Sequence, residues 1–136
     1  MKDMHNNINV LRALKPQAVG TTGAANGVLS AIIDRQGFES VEFAYQSGGS
    51  ASVADTITPV VFEAAATGDS FASVADADLL GTEAALTLST AAGKYGRVGY
   101  RGNKRYLKFK LYGVGTATAL VAASVILGNP QQAPVA

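Results

Sequence analysis

Hydrophobic and polar residues alternate strictly through residues 105–112, with leucine and phenylalanine on one side and tyrosine and lysine on the other. This period of two predicts a β-strand with one buried and one solvated face. Residues 119–127 are apolar on both sides apart from Ser124, a pattern typical of a strand covered on both faces. Since Gly113 and Gly115 lie between the two segments, we predict an antiparallel hairpin at the centre of a β-sheet domain.

Further strands are predicted in the first half of the chain. Residues 28–33 and 38–46 are separated by turn residues, and they are predicted to form a second hairpin. Residues 56–64 also favour an extended conformation. Because Pro59 has no backbone N–H, this strand should lie at a sheet edge or begin at Val60.

The middle of the chain has weaker patterns. Residues 70–74 alternate around one phenylalanine, residues 75–80 favour a single helical turn, and residues 82–90 favour a strand. Seven or eight short strands separated by turns predict an all-β fold: a single-domain antiparallel β-sandwich of the jelly-roll type over residues 1–136. A mixed α/β fold stays open because the middle is rich in alanine.

Both ends of the chain are predicted to be extended arms. The N-terminal arm, residues 1–16, carries Ile8, Val10 and Leu11 among polar residues. It is either the first strand of its own sheet or a segment that adds to the sheet of a neighbouring molecule. Residues 128–136 form an uncharged tail that is interrupted by prolines. The tail is expected to be extended.

Charge is unevenly distributed along a chain whose formal net charge is only +1. Residues 1–83 contain four basic and ten acidic residues, a net charge of −6, whereas residues 84–136 contain seven basic residues and no acidic one, a net charge of +7. We expect these seven cations, here called the basic cluster, to create one positive region. The basic cluster consists of Lys94, Arg97, Arg101, Lys104, Arg105, Lys108 and Lys110.

Three roles are compatible with the basic cluster. It could be a solvated strand face, or a nucleic-acid patch in which tyrosines alternate with cations. A dedicated nucleic-acid protein usually has a much larger net charge, so nucleic acid is not expected as a partner. The favoured role is a docking surface for an acidic protein partner, with several weak ion pairs that act together.

No catalytic or metal-binding constellation is apparent. Cysteine is absent, and the one histidine, His5, has no second imidazole or thiolate with which to hold a metal. Asp76 and Asp78 supply too few oxygen ligands for calcium. Glu39 and Glu42, three residues apart on a strand, would point to opposite faces. We therefore predict no enzyme activity and no cofactor. The uncharged run at residues 119–127 is too short for a transmembrane helix, so no membrane association is expected.

Several short motifs resemble a known family. Residues 98–108 (VGYRGNKRYLK) and 123–130 (ASVILGNP) are similar to segments of small proteins found beside the major capsid protein in the head modules of tailed bacteriophages. Residues 68–74 (GDSFASV) and 78–81 (DLLG) are similar to the middle motif of these proteins, and residues 1–3 to their start. The sequence thus resembles the jelly-roll capsid cement proteins, also called decoration or head-stabilising proteins.

The resemblance implies a structural protein of the virion. Such a protein binds the outer surface of an icosahedral capsid and cements neighbouring subunits through electrostatic contacts and β-augmentation. Its partners would be the major capsid protein and itself, as a homodimer or another homo-oligomer. Its location would be the capsid exterior, and the host cytoplasm during assembly. The interface candidates are the basic cluster together with Ile8, Val10 and Leu11. The alternatives are another virion β-module, such as a tail or fibre component, and a β-sandwich that binds carbohydrate or nucleic acid.

Overall fold

The computed structural model describes residues 3–19, 26–49, 55–88, 93–114 and 119–134, and β-strands dominate all of these segments. The six long strands are β1 (Ile8–Ala18), β4 (Phe38–Ser47), β5 (Thr56–Ala64), β9 (Lys94–Tyr100), β10 (Tyr106–Val114) and β11 (Leu120–Pro130). The five short strands are β2 (Val28–Leu29), β3 (Ile33–Asp34), β6 (Ala72–Ser73), β7 (Leu79–Leu80) and β8 (Leu86–Thr87).

The strands form two antiparallel sheets packed face to face. Sheet A has the order β1-β11-β4-β9-β7. Sheet B has the order β2-β10-β5-β6, with β3 also paired to β10 and β8 also paired to β5. From β4 onwards the long strands alternate between the two sheets along the chain, as they do in jelly rolls. The predicted antiparallel β-sandwich is confirmed. Within the described residues the only helix is the predicted single turn, a 3-10 helix at Asp76–Asp78.

The core lies between the sheets, and the alternation in β10 supplies much of it. Leu107, Phe109 and Leu111 are fully buried, as the sequence pattern predicts. The ring of Phe109 stacks on that of Phe43 from sheet A, with 4.9 Å between centroids and 7° between planes. Such an aromatic pair stabilises the fold by about 0.5–1.5 kcal/mol beyond its buried area. This contact fixes the two sheets face to face.

Neither predicted hairpin forms. β10 belongs to sheet B and β11 to sheet A, and β2 and β4 are divided in the same way. Each connection therefore crosses from one sheet to the other. The reason is that alternation identifies the buried face of a strand, and a strand in either sheet can turn that face to the core. The outer residues of β11, such as Ser124 and Ile126, are half-buried, so the prediction of a strand covered on both faces is also wrong.

Pro59 lies inside β5, at a place where its missing N–H has no cost. One side of β5 pairs along its whole length with β10. In the part of the chain that the structure describes, the other side pairs only with β8 at its start and with β6 near its end. Pro59 falls between these two contacts. In the same gap the N–H of Val61 donates to the carboxylate of Glu83 at 2.6 Å. The predicted edge position is therefore correct locally, whereas a start at Val60 is wrong.

The N-terminal arm is a strand of the molecule's own sheet from residue 8 onwards. β1 pairs with β11 and buries Ala13 and Leu14, so the first of the two interpretations of this arm is correct. The C-terminal tail begins inside β11, whose last residues, Gly128–Pro130, pair with β4 and in part with β1. Residues 131–134 are exposed. In the described part of the chain, no helix has the length and hydropathy needed to span a membrane.

Candidate functional site

The basic cluster is divided among three surfaces, because β9 and β10 belong to opposite sheets. Lys94 and Arg97 lie on sheet A, Lys108 and Lys110 lie on sheet B, and Arg101, Lys104 and Arg105 lie in the connection between β9 and β10. The prediction of one positive region is therefore wrong. Cations that are close in sequence diverge when the chain crosses from one sheet to the other.

Acidic residues from the first half of the chain compensate part of the cluster. The Arg105 guanidinium donates two hydrogen bonds to the Asp34 carboxylate, at 2.8 and 2.6 Å. These bonds hold the pKa of Asp34 below its usual value. Arg97 lies 3.7 Å from Glu42, a longer pairing. Burial raises the pKa of Glu42, and the Arg97 charge opposes that shift. The charge asymmetry of the sequence is therefore partly compensated in the fold.

The two lysines on sheet B also interact with other residues of the same chain. The ammonium of Lys108 lies 4.2 Å from the centroid of the Phe71 ring, a cation–π contact. Lys110 likewise interacts with other residues of the chain. These two side chains stand on the half-buried outer face of β10. Both lysines are therefore partly engaged by residues of their own chain.

Arg35, which lies outside the basic cluster, braces the connection between β9 and β10. Its guanidinium donates hydrogen bonds to the carbonyls of Lys104 at 2.6 Å and Gly102 at 2.9 Å. The Cζ atom of the same group lies 5.4 Å from the centroid of the Tyr100 ring. The Tyr100 hydroxyl donates to Glu63 at 2.5 Å and accepts the N–H of Lys104 at 2.9 Å. Burial, and then the bond to Glu63, raise the pKa of Tyr100. These contacts hold the backbone of the connection that carries Arg101, Lys104 and Arg105.

The edge of sheet A at β1 is open among the described residues. β1 pairs with β11 on one side and with no strand on the other. Its register is regular from Ile8 to Arg12 and irregular beyond. Within the regular part, Val10 is 56% exposed and Leu11 is 38% exposed. Three of the predicted interface residues, Ile8, Val10 and Leu11, therefore lie together on one unpaired strand edge.

Both edges of sheet A carry basic side chains. On β1 these are Arg12 and Lys15, and the sequence has no acidic residue between Asp3 and Asp34. At the opposite edge, β7 covers the last residues of β9. Among the described residues, the start of β9, which holds two members of the basic cluster, pairs only with β4. Arg12 and Lys15 were not among the predicted site residues. They could have been predicted, because they follow the apolar residues of the N-terminal arm in the sequence.

A groove of about 360 Å³ crosses the outer face of sheet A. Its floor consists of small side chains, among them Ala44, Ala122 and Ser124, and Tyr95 and Arg97 stand beside it. The Tyr95 side chain is 87% exposed. Sequence reasoning does not find this groove, because its floor comes from two strands that are far apart in the chain.

Metal-binding chemistry is not apparent in the described segments. They hold no group of three or more histidine, cysteine, aspartate or glutamate side chains that could bind a metal ion. His5 lies just before β1 and is exposed. The expectation that the protein acts without a metal or cofactor stays a prediction.

Comparisons with known proteins identify the architecture. No family model matches the sequence, and no curated protein sequence matches it. Among solved structures, the CBM22-1 and GH10 modules of xylanase 10B from Clostridium thermocellum, complexed with xylohexaose, align with a TM-score of 0.51 at 9% identity. The alignment covers 97% of this chain and only 28% of that one.

Two further structures align more weakly. The CBM22-1 xylan-binding domain of Paenibacillus barcinonensis Xyn10C has a TM-score of 0.42 at 12% identity, with 96% and 87% of the two chains covered. A protein of the disulfide-linked pili of Bacillus endospore appendages has a TM-score of 0.40 at 14% identity, with 94% and 96% covered. The similarity to the xylanase 10B modules extends to the fold alone, and that fold is a β-sandwich.

Proposed function

We propose that this chain is a structural virion protein that binds the outside of an icosahedral phage capsid and cements neighbouring subunits of the major capsid protein. The family resemblance of the sequence suggests this role. The observation that supports it best is the open edge of β1, which presents exposed apolar side chains beside cations. An unpaired edge of this kind is a template for an added strand from a partner.

The strength of a single contact would be modest. The regular part of β1, from Ile8 to Arg12, is five residues long. Each backbone hydrogen bond to an added strand would contribute about 0.5–1.5 kcal/mol net. Each exposed ion pair would contribute about 0–1 kcal/mol. A capsid presents the same partner many times, and an oligomer that binds several copies gains affinity without any new contact.

The partner segment is expected to be acidic. β1 offers Arg12 and Lys15, and a complementary charge would set the register of an added strand and speed its encounter. We expect the part of the capsid protein that pairs with β1 to be an extended segment rich in aspartate or glutamate. Self-association into a homodimer or another homo-oligomer remains a separate prediction.

Cosedimentation with undecorated phage heads at low and high salt tests this function. The wild type should bind saturably, and high salt should weaken the binding. Val10→Gln should weaken binding because it removes an apolar contact. Val10→Glu should weaken it further, because it adds repulsion of an acidic partner. The matched control is Val114→Glu, which changes an exposed valine at the end of β10 in sheet B.

Neutralising variants test two of the three groups of cations. Lys104→Gln tests the connection between the sheets and Lys108→Gln tests sheet B, and both should bind almost as the wild type does. If the wild type does not bind heads at either salt concentration, the cement function is wrong. If Val10→Glu binds as well as the wild type, β1 is not the docking edge.

A further inference from the structure

The groove on the outer face of sheet A has a regular construction. Arg12, Ser124, Ala44 and Arg97 lie directly opposite one another on four neighbouring strands. At a strand spacing of about 4.8 Å, the backbones of the two arginines are roughly 14 Å apart. Two small side chains lie between two long cationic ones. The row is therefore low in the middle and positively charged at both ends.

The next row along the strands adds an aromatic side chain. Ala122 lies opposite Gln46, and Gln46 lies opposite Tyr95. Tyr95 and Arg97 are two residues apart on β9, so both point to the same face, with roughly 7 Å between their backbones. Because the Tyr95 side chain is 87% exposed, its ring is free to stack on a flat ligand.

The polar groups around the groove are mainly hydrogen-bond donors. Arg97 beside the groove and Arg12, opposite Ser124 on β1, supply donors only. The hydroxyls of Tyr95 and Ser124 and the amide of Gln46 can both donate and accept. The acid on this part of the face, Glu42, lies 3.7 Å from Arg97. The Arg97 side chain nevertheless remains 82% exposed, so its guanidinium can reach a ligand. A ligand that fits has a flat apolar face and carries anionic acceptors at intervals.

We propose that this groove binds an acidic polysaccharide, a chain of sugar rings that carry carboxylates. One sugar ring would lie with its C–H face on Tyr95, and its carboxylate would accept hydrogen bonds from Arg97. A neighbouring part of the chain would cross the floor of small side chains towards Arg12. The volume of about 360 Å³ lies at the lower end of the range for ligand sites, so only a short stretch of the polymer is held.

The single exposed ring favours a sugar over a nucleic acid. A single-stranded nucleic acid also combines flat rings with anions, but proteins that bind it usually stack successive bases on several aromatic side chains. Of the residues that line the groove, only Tyr95 presents an exposed aromatic ring. A neutral glycan would offer no anionic group to Arg12 or to the exposed side chain of Arg97. The proposal concerns the groove alone and does not depend on binding to capsids.

Isothermal titration of the full chain tests the proposal. The probes are an oligogalacturonide, a neutral galactan oligomer of equal length and an oligo-dT of similar charge. The oligogalacturonide should bind at least about tenfold more tightly than the other two. Tyr95→Ala should weaken its binding about tenfold or more, because a stacking contact is lost. Tyr95→Phe keeps the ring and should stay within about threefold of the wild type.

Arg97→Gln should remove most of the preference for the acidic over the neutral oligomer. Two controls change similar side chains elsewhere: Lys104→Gln on the connection between the sheets and Tyr112→Ala on sheet B. Neither should change binding of the oligogalacturonide by more than about twofold. The proposal is overturned if Tyr95→Ala binds like the wild type, if oligo-dT or the neutral galactan binds as tightly as the oligogalacturonide, or if no probe binds.

Discussion

Tyr100 joins the two sheets through one hydroxyl group. The residue ends β9 in sheet A, and its hydroxyl donates to Glu63 on β5 in sheet B. The same oxygen accepts the N–H of Lys104 in the connection that follows. Gly102 makes this arrangement possible, since a Cβ there would lie 2.6 Å from Cζ of Tyr100. A buried polar atom with two partners is costly to remove, because each partner is then left with an unmet hydrogen bond.

Tyr100→Phe should therefore lower the free energy of unfolding by about 1–3 kcal/mol. Denaturation in urea, followed by fluorescence or circular dichroism, measures the change. Tyr106→Phe is the matched control, because Tyr106 is a half-buried tyrosine on the outer face of sheet B. An equal effect of the two substitutions would show that the bonds of the Tyr100 hydroxyl do not link the sheets.

Glu83 plays a comparable part beside β5, where its carboxylate accepts the N–H of Val61. Burial raises the pKa of Glu83 above the ordinary value of 4.5, and the bond from Val61 opposes that shift. The folded state thus holds the proton more tightly than the unfolded state. The stability that this group contributes is fully present below about pH 4.5, and it is lost as the pH rises through the higher pKa of the folded state.

Glu83→Gln should remove this pH dependence, because the amide oxygen can still accept the N–H but carries no charge. Relative to the wild type, the variant should gain stability between pH 4 and pH 7. Urea denaturation at several pH values measures the difference, and Glu39→Gln on the exposed part of β4 is the control. A difference that stays constant or falls with pH would contradict the argument.

At the scale of elements, β1 combines two roles on one strand. Leu14 points into the core and is buried, whereas Leu11 is partly exposed at the open edge. Leu14→Ala should lower the free energy of unfolding by about 2–5 kcal/mol, because it leaves a cavity. Leu11→Ala, the same chemical change three residues earlier, should cost less than about 1 kcal/mol.

Urea denaturation of both variants separates these roles. Equal and large losses would mean that the edge of β1 is part of the core and not a free surface. Equal and small losses would mean that β1 contributes little to the domain and acts mainly as an arm.

A property of a strand can be predicted from the sequence when the residues that determine it lie within that strand. The burial of Leu107, Phe109 and Leu111 follows from alternation inside β10, so it could be predicted from the sequence. The sheet to which β10 belongs depends on partners such as β5, more than forty residues away. The alternation is the same in either sheet, which is why the predicted hairpin with β11 was wrong.

The same limit applies to the candidate site. The exposed apolar residues of β1 could be predicted, because they all lie within one short segment of the sequence. The groove beside Tyr95 could not, because Ala44 and Ser124 reach it from β4 and β11. The basic cluster failed as one surface for the opposite reason. Neighbours in sequence, such as Arg97 and Lys108, are separated by the passage between the sheets.

For the whole molecule, the charges on the two edges of sheet A limit its self-association. β1 carries Arg12 and Lys15, and the open start of β9 carries Lys94 and Arg97. When two copies approach edge to edge, cations meet cations, which disfavours open-ended pairing into fibres. An acidic partner strand would instead be attracted to these cations. The edge is thus suited to a foreign strand more than to an unlimited series of copies.

The position of β11 has a consequence for how the chain folds during synthesis. β11 lies between β1 and β4 in sheet A, yet it is the last strand of the described chain to be made. Until it leaves the ribosome, β1 has no strand with which to pair, and the inner edge of β4 is unprotected. Nascent chains therefore present these edges to chaperones and to one another until β11 has emerged. Sheet A should complete its folding only after that point, at the slow rates of sheets built from distant segments.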